Sequence, residues 1–246
     1  MTDPRMTHID PAEEALFLDF DGTLVDMAPL PEAIHVPPDL VEHLDMLQRM
    51  LAGALALVSG RPIAVLDRYL APLAPVAAGI HGAELRATPH SPIEQMVAPL
   101  SPAIIAQMRD LAAREPGAHL EYKRLSVAIH RGDAARIEAG LRHILAAQPE
   151  GPRLQQGRNV WEILPGPVSK GEALERIMTL PAFRGRRPVM IGDDVTDLSA
   201  FSTARRLGGR ALKVAGGLFS AEESAFASPA HVRDWLAERV HVPCDQ

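Results

Sequence analysis

Along this chain of 246 residues, short unbroken apolar runs alternate with longer stretches in which apolar residues recur every three or four positions. The first pattern is that of a strand buried on both faces, the second that of a helix with one face in the core. In the first flank, residues 15–20, 54–58 and 76–78 read as strands, with helices over 38–50 and 62–70. The last flank reads as helix 170–178, strand 188–191, helix 198–203, strand 210–214 and a final helix over 229–239. Strands alternating with helices predict an α/β fold built on a doubly wound parallel sheet.

Between the flanks the order changes. After a Pro-rich stretch over 89–102, the pattern predicts helix 103–114, strands 119–123 and 126–130, helix 134–147, and strands 153–156 and 159–164. This is an αββαββ unit of the α+β kind, with Gly157-Arg158 as a hairpin turn and Pro165-Gly166-Pro167 as a hinge. The expected division is a core of residues 1–84 and 167–246 carrying a cap of residues 85–166. A cap placed over a crevice excludes water and reads the leaving group.

The apolar run at 15–20 ends in Asp19-Phe20-Asp21-Gly22-Thr23. Alternation along an extended segment lets Asp19 and Asp21 point to the same side. Gly22 permits a turn and Thr23 adds a hydroxyl donor. An ordinary Asp-Gly turn after a core strand would look the same locally. A second run, Val189-Met190-Ile191, leads into Gly192-Asp193-Asp194-Val195-Thr196-Asp197. Clustered carboxylates resist ionisation together unless a cation neutralises them, and Mg²⁺ suits carboxylates beside a phosphate. The plainer reading is that Asp193 or Asp194 caps the next helix while Asp197 is solvated.

Two segments could hold the phosphate. Ser59-Gly60-Arg61-Pro62 follows a strand and offers a hydroxyl and backbone amides at a helix start, while Lys170 opens a helix with a compact ammonium. Taken singly, a Ser before Gly also reads as a helix cap and a first-turn Lys as a solvated one.

In this order the four pieces resemble the haloacid dehalogenase-like (HAD) phosphatase superfamily. The resemblance implies a HAD-like core with an inserted cap and an aspartyl phosphate formed at Asp19. It makes Asp21 the acid for the leaving oxygen and then the base for water. A carboxylate nucleophile splits one hard displacement into two easier ones. The resemblance also implies Mg²⁺ held by the Asp19 side chain, the Asp21 backbone carbonyl and Asp193, with Asp194 and Asp197 in support. Ser59 and Lys170 would then engage the remaining phosphoryl oxygens, the positioning and electrostatic work of phosphoryl transfer.

Glu121-x-Lys123 and Arg158-x-x-x-Glu162 fall on or beside cap strands, where alternation gives each pair one face. Charged groups facing a crevice suit a polyhydroxylated sugar, although four solvated strand residues would show the same spacing. Together with Gly79-Ile80-His81-Gly82-Ala83-Glu84 and Ser169-Lys170-Gly171, they resemble the trehalose-6-phosphate phosphatase family, over residues 16–236. That resemblance implies sugar contacts from Glu121, Lys123, Arg158 and Glu162, with Arg61, His81 and Gly82 on the core side and Arg131 from the cap. Two positions depart from the family pattern. His130-Arg131-Gly132 stands where His-Tyr-Arg is usual, and Leu198 where a Glu is common.

Composition narrows the partners. With 47% hydrophobic and 23% charged residues the chain reads as a soluble enzyme, and no segment approaches the roughly 18 uncharged apolar residues of a membrane span. Its first residues, including Asp3, Arg5, His8 and Asp10, do not read as a signal peptide. One cysteine, Cys244, leaves no internal disulfide and suits a reducing cytoplasm. A net charge of −6 with scattered arginines disfavours nucleic acid, and Arg184-Gly185-Arg186-Arg187 reads as a solvated loop. The expected partner is a small-molecule sugar phosphate, bound by a monomer or small homo-oligomer. The expected reaction is Mg²⁺-dependent hydrolysis of trehalose 6-phosphate. Alternatives are the same chemistry on sucrose phosphate or mannosylphosphoglycerate, and a non-catalytic sugar-phosphate sensor, which would need no nucleophile.

Overall fold

The computed structural model describes residues 8–28, 31–148, 151–157 and 159–241; Arg158 and Cys244 lie outside them. The first flank folds as β1 (Glu14–Leu18), α1 (Pro38–Met50), β2 (Leu55–Val58), α2 (Ile63–Leu70) and β3 (Val76–Gly79). Two short strands follow, β4 (Glu84–Arg86) and β5 (Glu94–Gln95). The middle gives α3 (Pro102–Arg114), β6 (His119–Lys123), β7 (Ser126–His130), α4 (Ala134–Ala146), β8 (Arg153–Gly157) and β9 (Val160–Leu164). The last flank gives α5 (Lys170–Ile177), β10 (Arg187–Gly192), α6 (Leu198–Arg206), β11 (Arg210–Lys213) and α7 (Pro229–His241).

The large sheet has the order β11-β10-β1-β2-β3-β4-β5. β1 is parallel to β2 on one edge and to β10 on the other, so it is buried in the sheet plane as well as on its faces. That is why it reads as an unbroken apolar run. The chain winds away from β1 in both directions, which leaves a crevice beyond the carboxyl ends of β1 and its neighbours. The extended run stops at Leu18, two residues before the expected end, because Gly22 N donates to Val25 O at 2.8 Å and turns the chain.

β4 and β5 extend the sheet in antiparallel fashion, a feature the sequence pattern did not announce. They carry Glu84, Arg86, Glu94 and Gln95 and so lack an apolar run. The division expected after residue 84 therefore falls inside β4.

The middle segment makes a four-stranded antiparallel sheet, β6-β7-β9-β8. Val127, Ile129, Trp161 and Ile163 face Ile104, Met108, Ile137 and Leu141 of α3 and α4. Both helices start on side-chain caps: Ser101 Oγ accepts from Ile104 N, and Asp133 accepts from Arg136 N at 3.0 Å. With one face on the helices, alternation sends Glu121, Lys123, Ser126, His130 and Glu162 to the other. A small cluster of Ile80, Ala83, Leu125, Leu164 and Val168 joins the two bodies. Among the described residues no helix is long and apolar enough to cross a membrane.

Candidate active site

At the carboxyl end of β1, Asp19 is buried and its Oδ1 lies 2.7 Å from Lys170 Nζ, at the start of α5. The same ammonium donates to Asp197 Oδ1 at 2.7 Å. Asp197 Oδ2 accepts from the backbone N–H groups of Asp193 and Asp194, both at 3.0 Å. Asp197, expected as a solvated or supporting acid, is thus fully buried, with both oxygens engaged. Asp194 behaves as the plainer reading proposed: its side chain accepts from the Asp197 amide in a reciprocal capping box.

Three acids around one lysine leave an excess of negative charge. Burial, then Asp197, hold the Asp19 carboxyl well above the ordinary aspartate value, against the pull of Lys170. Burial and Asp197 push Asp193 up to about 7. For Lys170, burial acts in the opposite direction, but Asp19 and Asp197 win and hold the ammonium above its ordinary value.

Asp19, Asp193 and Asp197 each offer a carboxylate oxygen within 4.8 Å of the others, a spacing suited to a metal ion. With Asp197 committed to Lys170 and two amides, Asp19 and Asp193 are the carboxylates left to meet a cation. The surroundings of Asp193 fit that use. A Cβ on Gly22 or on Gly217 would lie 2.3 or 2.4 Å from Asp193 Oδ2, so both glycines leave the carboxylate its space. Gly22 also has φ +78, which an L side chain rarely adopts. Thr23 Oγ1 donates to Asp193 Oδ1 at 3.3 Å. A hard divalent cation such as Mg²⁺ suits this all-oxygen set.

Asp21 forms a two-pronged ion pair with Arg61, Nε to Oδ2 at 2.6 Å and Nη2 to Oδ1 at 2.7 Å. Burial alone would lower the Arg61 value, yet Asp21 carries it upward. The guanidinium also stacks near Phe20 and Tyr69, 5.9 and 5.7 Å from their ring centres. Ser59, fully buried at the end of β2, accepts from Arg61 N at 3.1 Å, which fixes the loop.

At the cap end, Glu162 is buried and accepts from Lys123 Nζ at 2.8 Å and from Ser126 Oγ; His81 Nε2 lies 3.4 Å away. Burial opposes ionisation of Glu162, but Lys123 and His81 hold it well below the ordinary glutamate value. Burial likewise opposes the Lys123 charge, and Glu162 and Glu121 overcome it. His130 Nε2 lies 2.7 Å from Glu121 Oε2 and, against burial, holds that carboxyl low. Burial keeps the His81 imidazole below its ordinary value, with Glu162 pulling the other way.

A single cavity of about 510 Å³ joins the two ends. Asp19, Asp21, Ser59, Lys170, Asp193 and Asp194 line its floor, and Arg61 and His81 line its side. Glu121, Lys123, Arg131 and Glu162 line its roof. Gly82 does not: at φ +104 it lets the chain pass the start of α5, where a Cβ would stand 3.0 Å from Ser169 O. Arg158 lies outside the described residues. His130, Gln155 and Asn159 also line the cavity and escaped the sequence reading. Alternation within β7, which puts Ser126, Ala128 and His130 on one face, could have found His130.

A sequence profile described as trehalose-phosphatase matches residues 17–232. The trehalose-6-phosphate phosphatase of Escherichia coli K12 is 37% identical over 230 residues, covering 92% of this chain and 86% of that protein. A probable trehalose-phosphate phosphatase of Sinorhizobium fredii is 38% identical over 205 residues, covering 81% of this chain and 77% of its own. Among solved structures, the C-terminal domain of trehalose-6-phosphate phosphatase from C. albicans superposes with a TM-score of 0.79 at 18% identity, covering 93% and 92% of the two chains, a likeness of fold. With the profile spanning most of its length and relatives above a third identical, the chain belongs to the trehalose-phosphatase family.

Proposed function

We propose that this protein hydrolyses trehalose 6-phosphate to trehalose and phosphate through a phosphorylated Asp19. The observation that carries the reading is one cavity with a nucleophile, an ammonium and spare carboxylates at one end and paired charges suited to hydroxyls at the other. Asp19 attacks phosphorus as the bond to the sugar oxygen breaks. Asp21 gives its proton to that oxygen, then takes one from the water that attacks the aspartyl phosphate and frees Asp19. Lys170 and Ser59 hold the phosphoryl oxygens, and Arg61 fixes the direction of Asp21. Mg²⁺ would be held by the Asp19 and Asp193 carboxylates and the Asp21 carbonyl, with Asp194 nearby; bound there, it neutralises charge on the nucleophile and the phosphoryl group.

At the roof, Glu121, Lys123 and Glu162 receive the sugar. Their ion pairs are already formed, and each carboxylate oxygen has a further lone pair with which to accept a sugar hydroxyl while the pair stays intact. Gly82 acts by close packing, and Arg131 and Arg158 are further candidates for the outer glucose. Relatives named for trehalose-6-phosphate phosphatase support this substrate over sucrose phosphate or mannosylphosphoglycerate. A sensor would require neither Asp19 nor the Lys170 pair.

The deciding measurement is phosphate release with Mg²⁺ from trehalose 6-phosphate, sucrose 6-phosphate, glucose 6-phosphate and p-nitrophenyl phosphate, with Asp19→Asn as control. A strong preference for trehalose 6-phosphate that the substitution abolishes is expected. Preference for another sugar phosphate overturns the substrate, and binding without turnover favours the sensor.

A further inference from the structure

The turn between β6 and β7 reaches from the cap into the core with three consecutive side chains. Lys123 Nζ donates to Gly60 O at 3.4 Å, on the loop that carries Ser59 and Arg61. Arg124 Nη1 lies 3.7 Å from Glu84 Oε2 of β4. Leu125 is buried among Ile80, Ala83, Leu164 and Val168, the small cluster at the seam. Arg124 itself holds φ +59 at the tip of the turn.

The receiving surface is unusual in two respects. Ile80 and His81 both have positive φ, at 49 and 55, and a β-branched residue in that region is a strained one that its surroundings must hold in place. Glu84 is buried, and its Oε1 accepts from Ile63 N at the start of α2. The residue before α2 is Pro62, which has no side-chain acceptor, so Glu84 supplies the cap from across the fold. Gly79 makes room for it, since a Cβ there would lie 2.6 Å from Glu84 Oε1. Among the described residues Glu84 Oε2 has no hydrogen-bond partner. Burial holds the Glu84 carboxyl above its ordinary value, with the Ile63 amide and Arg124 opposing. A buried carboxylate with one unmatched oxygen is costly unless positive charge faces it; Arg124 of the cap acts on Glu84 more strongly than Arg86 of the core strand.

We propose that Arg124 is a positioning residue: by docking on Glu84 it clasps the β6–β7 tip to the core and so seats Lys123 over the Ser59–Arg61 loop and the sugar. The clasp joins two functions through one carboxylate, because Glu84 also anchors the helix start behind that loop. Arg124 is exposed and absent from the cavity lining, so it acts through Lys123 and not on substrate. The proposal rests on the reading that the cap receives the sugar.

Its test is kinetic and structural at once. Arg124→Ala should raise KM for trehalose 6-phosphate about fivefold with kcat nearly unchanged, leave p-nitrophenyl phosphate unaffected, and be largely rescued by Arg124→Lys. Arg124→Ala should add little to a Glu84→Gln background, since both remove the same pair. Independently of any substrate, hydrogen exchange at the amides of residues 80–84 and 123–126 should quicken in Arg124→Ala. Unchanged exchange, an equal loss on both substrates, or additive substitutions would overturn the clasp. Absence of trehalose 6-phosphate turnover in the unaltered protein would instead overturn the proposed substrate, and the exchange measurement would still decide the clasp.

Discussion

The two ends of the cavity carry opposite electrostatic designs. At the core end Asp19 and Asp193 are pushed above the ordinary aspartate value, first by burial and then because three acids face one lysine. At the cap end Glu121 and Glu162 are held below the ordinary glutamate value, since Lys123, His130 and His81 answer them. The core end is short of positive charge and so is built to gain a cation. The cap end is balanced in itself and so is built to exchange hydrogen bonds. The phosphoryl end and the hydroxyl-bearing end of one substrate call for these two solutions.

Substitutions can separate the two ends. Asp19→Asn should lower kcat by at least about 10⁴-fold on trehalose 6-phosphate and on p-nitrophenyl phosphate alike, because the attacking oxygen is common to both. A loss confined to the sugar substrate would merge the two ends and break the contrast. Glu162→Gln should cost about 10²-fold in kcat/KM for trehalose 6-phosphate and less than about threefold for the aryl phosphate. Equal losses would move Glu162 from sugar recognition to the chemistry.

Asp197→Asn tests whether the core end depends on the buried lysine pair. Removing that charge should lower stability by about 3 kcal/mol in urea unfolding and slow both substrates by roughly tenfold. An unchanged unfolding midpoint would mean that Asp19 alone suffices to hold Lys170.

The smallest effect concerns metal and pH. Folded Asp19 and Asp193 keep protons that the unfolded chain has already released. Stability of the metal-free protein should therefore fall as pH rises from the ordinary value of 3.8 through about 7. A cation that replaces those protons should restore it. Saturating Mg²⁺ is expected to raise Tm by about 3 °C at about pH 8 and by less at about pH 6. An equal gain at both would show that the raised carboxyls are not the metal's ligands.

Local pattern made some of this legible in the chain itself. β1, β2 and β10 are unbroken apolar runs because each is buried on both faces and in the sheet plane, and their ends put Asp19, Ser59 and Asp193 at one crevice. The cap strands alternate, so Glu121 and Lys123 could be assigned one face from the sequence, while the strand pairing brings Glu162 onto it. Pattern failed where a residue's partner is remote. β4 and β5 are short and polar and exist as strands by pairing with β3. The capping of α2 by Glu84 and the burial of Asp197 under Lys170 join residues 21 and 27 positions apart. The sequence determined which residues could do chemistry and on which elements they ride, because burial and periodicity are written residue by residue. Which acid meets the cation, which one orients the lysine and where the cap touches the core were decided by the tertiary structure, because charge and hydrogen-bond satisfaction depend on neighbours that only folding brings together.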